Sequence, residues 1–299
     1  MIYFLKISRA PFLSAVLVPV LVGVAAAARD AGGVSPAKTA LVVLTAALIH
    51  LGANLLNDWF DYKLGADKIN PHRTPFSGGS ADIAEEKTCP EILLPYAALC
   101  FGLAGAAGAT LMVLAGDQWP VLAAIGAAGA LLGISYTCPP LKLSWRGLGE
   151  TAVFIAFGVL PVMASMQVLA GGMSRLAWHA AFPMGLLVAA IIWINEFPDH
   201  DSDKQAGKNT LVVKLGLSRA RYVYYLLMLS AFASLVFLRM GGMVSGWIWL
   251  ALPALFTAAA ASVILHRSYD RPARLVPAQA LTIGTHLLTG IALAAGIAL

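Results

Sequence analysis

Two stretches of this chain carry asparagine and aspartate in the same register. In NLLNDWFDYKLGAD, residues 54–67, Asn54 and Asp58 are four apart, Asp61 follows three residues later, and Asp67 lies beyond Gly65. In NEFPDHDSDKQAGKNTL, residues 195–211, Asn195, Asp199 and Asp203 repeat the Asn-x-x-x-Asp pattern 141 residues further on. At helical periodicity, positions i, i+4 and i+7 or i+8 share a face, so each stretch sets its carboxylates in a row. Carboxylates crowded around one cavity repel and raise one another's pKa unless a cation joins them. Hard oxygen ligands with carboxamides interleaved suit Mg²⁺, which is held by one or two carboxylates together with substrate phosphates. The chemistry expected of Asp58, Asp61, Asp67, Asp199 and Asp203 is therefore that of a metal–phosphate site.

Basic residues near these acids supply the counterpart for a diphosphate. Arg73 in HRTPFSGGS, Lys142 in YTCPPLKLSWRGLGE, and Lys204 with Lys208 in the second acidic stretch all lie in polar connections. A guanidinium can grip two phosphate oxygens at once, and an ammonium serves as a point charge. Arg73, Lys142 and Lys204, with the carboxamides of Asn54, Asn57 and Asn195, are the expected substrate-binding set. Tyr136 opens the second of these connections, either as an aromatic of the membrane interface or as a π-face turned toward a developing carbocation. It joins Asp58, Asp61, Asp199 and Asp203 as a catalytic candidate. Glu150 reads either as an anion at a helix N-terminus or as a group that orients a substrate. The sequence leaves His50 and His200 without a role.

The elements that must position these groups are transmembrane helices. The chain has 299 residues, is 59% hydrophobic and 12% charged, and has a mean hydropathy of +0.79, which makes the bilayer its solvent. Apolar runs long enough to cross it fall at 11–28, 37–59, 91–115, 120–136, 149–170, 177–196, 220–240, 244–266 and 277–298, nine spans in all. With no water to satisfy the backbone, they must be helices, and the fold is an all-α polytopic bundle around a central cavity. A secretory leader over the first run is disfavoured by its length. With the N-terminus inside, 16 of the 20 lysines and arginines fall on the cytoplasmic side, which places the acidic connections in the cytoplasm and the protein in the inner (plasma) membrane. The net charge of +5 then reflects topology and implies no nucleic-acid partner. Cys89, Cys100 and Cys138 have neither metal-ligand nor paired spacing. The shared Asn-x-x-x-Asp register suggests one domain, 1–299, of two pseudo-repeats, 1–136 and 149–266, plus a ninth helix.

Taken together, NDWFDYKLGAD, YTCPPLKLSWRGLGE and NEFPDHDSDKQAGKNTLVVKLG resemble the signature segments of the UbiA superfamily of intramembrane prenyltransferases, most similar to its 1,4-dihydroxy-2-naphthoate polyprenyltransferase branch. By that resemblance, Asn57, Asp58, Asp61 and Asp67 form one motif and Asn195, Asp199 and Asp203 the other, and together they carry two Mg²⁺ ions that bind the diphosphate of a polyprenyl donor. Pro198 stands where the naphthoate branch commonly has arginine, and Gly65 where several other quinone-pathway relatives have an acid.

The chemistry so implied is dissociative. The diphosphate leaves, an apolar tunnel keeps water from the allylic cation, and an electron-rich aromatic carbon attacks it. The partners are then a polyprenyl diphosphate, an aromatic acceptor and the membrane lipids. 4-Hydroxybenzoate, another quinone precursor or an ether-lipid glyceryl phosphate are alternative acceptors. A secondary transporter is the rival from another class, but transporters place their acids near the midplane and these lie at one face.

Overall fold

The computed structural model describes residues 10–299; residues 1–9, which include Lys6 and Arg9, lie outside the described part. The described chain is a bundle of long helices. In chain order they are α1 (Ser14–Ala31), α2 (Pro36–Lys63), α3 (Leu93–Ala115), α4 (Trp119–Ser135), α5 (Gly149–Ala170), α6 (Arg175–Ala206), α7 (Leu217–Met240), α8 (Leu252–Ser268) and α9 (Val276–Ala298). By length and composition eight runs qualify as membrane spans, because Pro90–Ser135 forms one helical run of 46 residues. That run turns at Gly116, and its two halves pack against each other. Among the described residues the nine expected spans are thus nine long helices, α3 and the 17-residue α4 being continuous in that one run. The protein is a multi-pass membrane protein.

Local chemistry sets the ends. Ser35 caps α2 by accepting from Lys38 N, with Pro36 in the first turn, and Ser174 caps α6 by accepting from Ala177 N. α6 ends at Gly207, whose φ of 81° is the left-handed cap that glycine adopts without a Cβ penalty. At 32 residues α6 extends about 48 Å, well beyond a hydrocarbon core of about 30 Å. Its last turns, which carry Asp199 and Asp203, therefore project into the polar connections.

α6 is the central helix, with 78% of its apolar window buried. Small residues let its neighbours approach: a Cβ added at Gly158 of α5 would lie 2.2 Å from the Cα of Gly185. α1 packs on α5 and α9, α2 on α3, α7 on α6, and α8 on α9. The outer helices turn Leu103, Val113, Leu229 and Phe256 outward, the apolar surface that a bilayer covers. Within α5, Phe154–Val159 forms a π-turn that shifts the register of the residues facing the bundle interior.

Three polar connections gather at the end where α2 and α6 finish. Residues 64–92 include the one-turn helix Ala81–Ala84, residues 136–148 join α4 to α5, and residues 207–216 include the one-turn helix Leu211–Leu215. The backbone N–H of Asn209 donates to the carbonyl of Trp145 at 3.0 Å, tying the last two together.

Candidate active site

At this end the helices enclose a cavity of about 970 Å³. Successive turns of α2 present His50, Asn54, Asn57 and Asp61 to it, and α6 presents Ile192, Asn195, Glu196, Asp199 and Asp203 from the other side. Phe76, Gly78 and Gly79 of the first connection, Tyr136, and Lys208 complete the polar part. The two Asn/Asp motifs thus face one space.

A lysine joins them. Lys208 Nζ stands 2.9 Å from Asp61 Oδ2 and 3.5 Å from Asp203 Oδ1. Burial opposes its charge, but the carboxylates of Asp203, Asp61 and Asp67 outweigh that and hold its pKa well above the ordinary lysine value. Asp61 is further fixed by Asn57 Nδ2 on its Oδ2 at 2.9 Å and by the indole Nε1 of Trp145 on its Oδ1, also at 2.9 Å. Lys142 lies over that indole, 4.7 Å from the ring centroid, and so touches the site through Trp145.

The first connection folds back over the second motif. Asn70 Nδ2 donates to Asp199 Oδ1 at 2.7 Å, and the Gly78 backbone N–H donates to Asp199 Oδ2 at 3.1 Å. Arg73 braces the fold-back: its Nε donates to the carbonyl of Gly78 and its Nη2 to that of Asp67, at 3.1 and 2.6 Å. Gly79 has a φ of +75°, and a Cβ there would meet Asp67 Oδ2 at 2.2 Å, so only glycine lets the turn close over that carboxylate.

The structure distributes the expected site residues unevenly. Asn54, Asn57, Asp61, Asp67, Tyr136, Asn195, Asp199 and Asp203 all line the cavity. Asp58 does not; it is 1% exposed and accepts the Ser80 backbone N–H through Oδ2 at 3.1 Å. Arg73 and Lys142 are spent on the contacts just described, and Lys204 lies on the exposed side of the last turn of α6. Among the described residues the cation lining the cavity is Lys208, which follows the Gly207 turn. Sequence reading also passed over Asn70, Gln279, whose Nε2 donates to Asn195 Oδ1 at 3.0 Å, and Glu196. His50 lies inside the cavity with an edge-on ring contact to Phe157 at 4.8 Å, and His200 lies outside it against Asp201. Glu150 is buried; its Oε1 accepts the Leu211 backbone N–H at 2.7 Å.

Tyr136 caps α4, and its carbonyl accepts both the N–H and the hydroxyl of Ser144, at 2.9 and 2.8 Å. Burial first, and then the carboxylate of Glu196, push its phenol above the ordinary tyrosine range, so the ring is a neutral phenol. Beyond Phe157 the cavity meets an apolar groove of about 710 Å³ walled by α1 to α5, where Ile49, Ala46 and Val42 continue the same face of α2 toward the opposite membrane surface.

A sequence model of the UbiA prenyltransferase family matches residues 16–288. The chain belongs to that family. The 1,4-dihydroxy-2-naphthoate octaprenyltransferase of Escherichia coli is 30% identical over 272 residues, 89% of this chain and 85% of that protein. A 2-carboxy-1,4-naphthoquinone phytyltransferase of Synechocystis is 27% identical over 294 residues, 96% of this chain and 90% of its own length. Among solved structures, a UbiA homologue from Archaeoglobus fulgidus bound to GPP and Mg²⁺ superposes with a TM-score of 0.67 at 16% identity, over 97% of this chain and 98% of that one. The protein is a UbiA-family intramembrane prenyltransferase, and the cavity between α2 and α6 is its candidate active site.

Proposed function

We propose that this prenyltransferase moves a polyprenyl group from a polyprenyl diphosphate to 1,4-dihydroxy-2-naphthoate, with Mg²⁺ as cofactor, at the cytoplasmic face of the inner (plasma) membrane. The observation that carries the reading is the join between the cavity and the groove: a pole of carboxylates, carboxamides and one buried ammonium opens past Phe157 onto a wall that is apolar but for Thr45. A diphosphate with a long hydrocarbon tail has that polarity. From Asp61 to Val42, α2 runs about 28 Å, so the cavity and the groove together follow the helix over a length close to that of the hydrocarbon core. The named naphthoate relatives favour the acceptor.

The donor set fits Mg²⁺. Asp61, Asp67, Asp199 and Asp203 are hard oxygen donors on one cavity, and Asp203 Oδ2 is buried without a hydrogen-bond partner. Mg²⁺ is commonly held by one or two carboxylates together with the phosphates of a substrate, a mode that these aspartates can serve. When bound there, Mg²⁺ supplies positive charge to the leaving diphosphate. Asp58 belongs to the same motif and acts on this reading by holding the connection at Ser80.

The chain's own residues do the rest. Lys208 adds a fixed cation beside the diphosphate, and the Tyr136 ring offers its face to charge developing at C1 of the prenyl chain. The groove and the apolar upper wall exclude water from that carbon. The carboxyl-bearing ring carbon bonds to C1 while the C1–O bond breaks with its electron pair going to diphosphate, and departure of CO₂ restores the aromatic ring. The placement of the motifs on α2 and α6 supports reading the chain as two pseudo-repeats, 1–136 and 149–266, with α9 added.

The test is to incubate membranes containing the protein with radiolabelled prenyl diphosphates of several lengths and a panel of acceptors, with Mg²⁺ present or chelated. A prenylated naphthoquinol with release of CO₂, lost on chelation, is the expected result. Product formed only on 4-hydroxybenzoate or a glyceryl phosphate would overturn the acceptor.

A further inference from the structure

One carboxylate of the cavity stands outside the two Asn-x-x-x-Asp sets. Glu196 is 6% exposed, lines the cavity, and has an Oε2 that is buried without a hydrogen-bond partner. Lys208, the cation in this space, pairs with Asp61 and Asp203. On the α5 side Glu196 meets Glu150, another acid, with which it shares a carboxyl–carboxyl hydrogen bond that leaves Oε2 unused. A buried carboxyl oxygen left without a partner is costly, so a bound molecule that supplies one gains correspondingly.

Three chemical parts must enter this cavity: a diphosphate, a hydrocarbon tail and an acceptor ring. The diphosphate is anionic and meets carboxylates through the metal and Lys208, and the tail has no hydrogen to donate. Only the acceptor carries hydroxyl donors, and a carboxyl oxygen of Glu196 can accept one. The surroundings of Glu196 suit an aromatic ring: Ile192, one turn back on α6, and Val153 and Phe157 of α5 line the same cavity with apolar surface.

We propose that Glu196 is the residue that reads the acceptor, taking a hydrogen bond from one of its ring hydroxyl groups and so fixing which ring carbon faces C1 of the prenyl chain. The inference rests on the prenyl-transfer reading of this cavity and deepens it. It predicts a specific pattern of discrimination. A site built to bond a hydroxyl rejects the analogue that lacks it, because the buried carboxyl is again left alone; such rejection reaches about 10⁴-fold in the strongest cases. Removing the carboxyl removes the grounds for rejection.

The test is steady-state kinetics in membranes for wild type, Glu196→Gln and Glu196→Ala. The acceptors are 1,4-dihydroxy-2-naphthoate and its two monohydroxy analogues, 1-hydroxy-2-naphthoate and 4-hydroxy-2-naphthoate. Wild type should favour the dihydroxy acceptor over one of the analogues by roughly 10-fold in kcat/KM, the fold-change of one well-made hydrogen bond. Glu196→Ala should reduce that preference to within about threefold and raise the acceptor KM, with the donor KM unchanged. Glu196→Gln, which keeps a carbonyl acceptor in the same shape, should restore part of the preference. A preference unchanged in Glu196→Ala, or a change confined to the donor KM, would overturn the proposal. If wild type uses a different phenolic acceptor, the naphthoate reading fails, and the same comparison on that phenol and its dehydroxy analogue still decides the role of Glu196.

Discussion

Asp61 and Asp199 are the two carboxylates proposed for the metal–phosphate site, and they are held in different ways. Asp61 meets an amide, an indole and an ammonium, all side chains, whereas Asp199 is gripped by Asn70 and the Gly78 backbone N–H of a connection that folds over it. Replacing either by alanine should lower kcat by at least about 10³-fold, some 4 kcal/mol of transition-state stabilisation. Activity within about tenfold of wild type, about 1.4 kcal/mol, would remove the residue from the metal–phosphate site. Lys208 gives a second test that reads binding apart from turnover. Lys208→Met leaves Asp61 and Asp203 confronting each other without their shared cation, which should cost about 3–5 kcal/mol and lower the Tm in detergent. Mg²⁺ with inorganic diphosphate should then raise the Tm of the variant by more than it raises that of wild type, because the added cation replaces the missing one. An equal rise in both proteins would mean that those carboxylates do not bind the metal.

At the scale of elements, legibility divided along the line between local and returning chain. The helices were readable because a run of some twenty apolar residues in a bilayer has one solution, and Ser35, Ser174 and Gly207 mark ends by their own chemistry. The two motifs were readable because the helical period fixes which side chains share a face. Arg73 was not readable as a brace: where its fork lands depends on a connection that reverses at Gly78 and Gly79, and nothing in HRTPFSGGS states the direction of return. Lys208 was hidden behind Lys204 for a similar reason, since one turn of left-handed glycine decides which of the two points inward. The π-turn at Phe154–Val159 has no signature in FIAFGV at all, because its register is set by packing on α6. Two substitutions test the folded-back connection as a unit. Gly79→Ala meets both a positive φ and the Asp67 carboxylate, and should destabilise that connection by about 1–3 kcal/mol. Arg73→Lys loses the fork that spans two carbonyls. Both should increase amide hydrogen exchange across residues 67–80 and raise the donor KM. A donor KM that rises in Arg73→Lys with exchange unchanged would instead make Arg73 a direct phosphate ligand.

The whole molecule is polarised from end to end, and that polarity is the basis of the expected orientation. Trp119, Trp178, Trp247 and Trp249 all lie at the end opposite the cavity, and each is more than half exposed. Four outward-facing indoles of the seven in the chain make the belt expected at one membrane–water interface. The cavity end has instead the acidic motifs, the folded connections and most of the basic residues, the composition of a cytoplasmic surface. Arg29 at the far end is used internally, its Nη1 donating to the carbonyl of Met243, so it does not weaken the asymmetry. The expected topology can be read with a native probe, because Cys89 is free and exposed in the first polar connection. A membrane-impermeant maleimide should label Cys89 in inverted vesicles and not in right-side-out vesicles. In a Cys89→Ser background, Arg175→Cys at the start of α6 should give the opposite result, since α6 begins at the tryptophan end. Labelling of both positions from the same side would break the bundle into a different threading and separate the two motifs; labelling of each from the side opposite to that expected would keep the site whole and turn it outward. Only the expected pattern supplies the cavity with an acceptor and a diphosphate from the cytoplasm while its groove stays in the lipid.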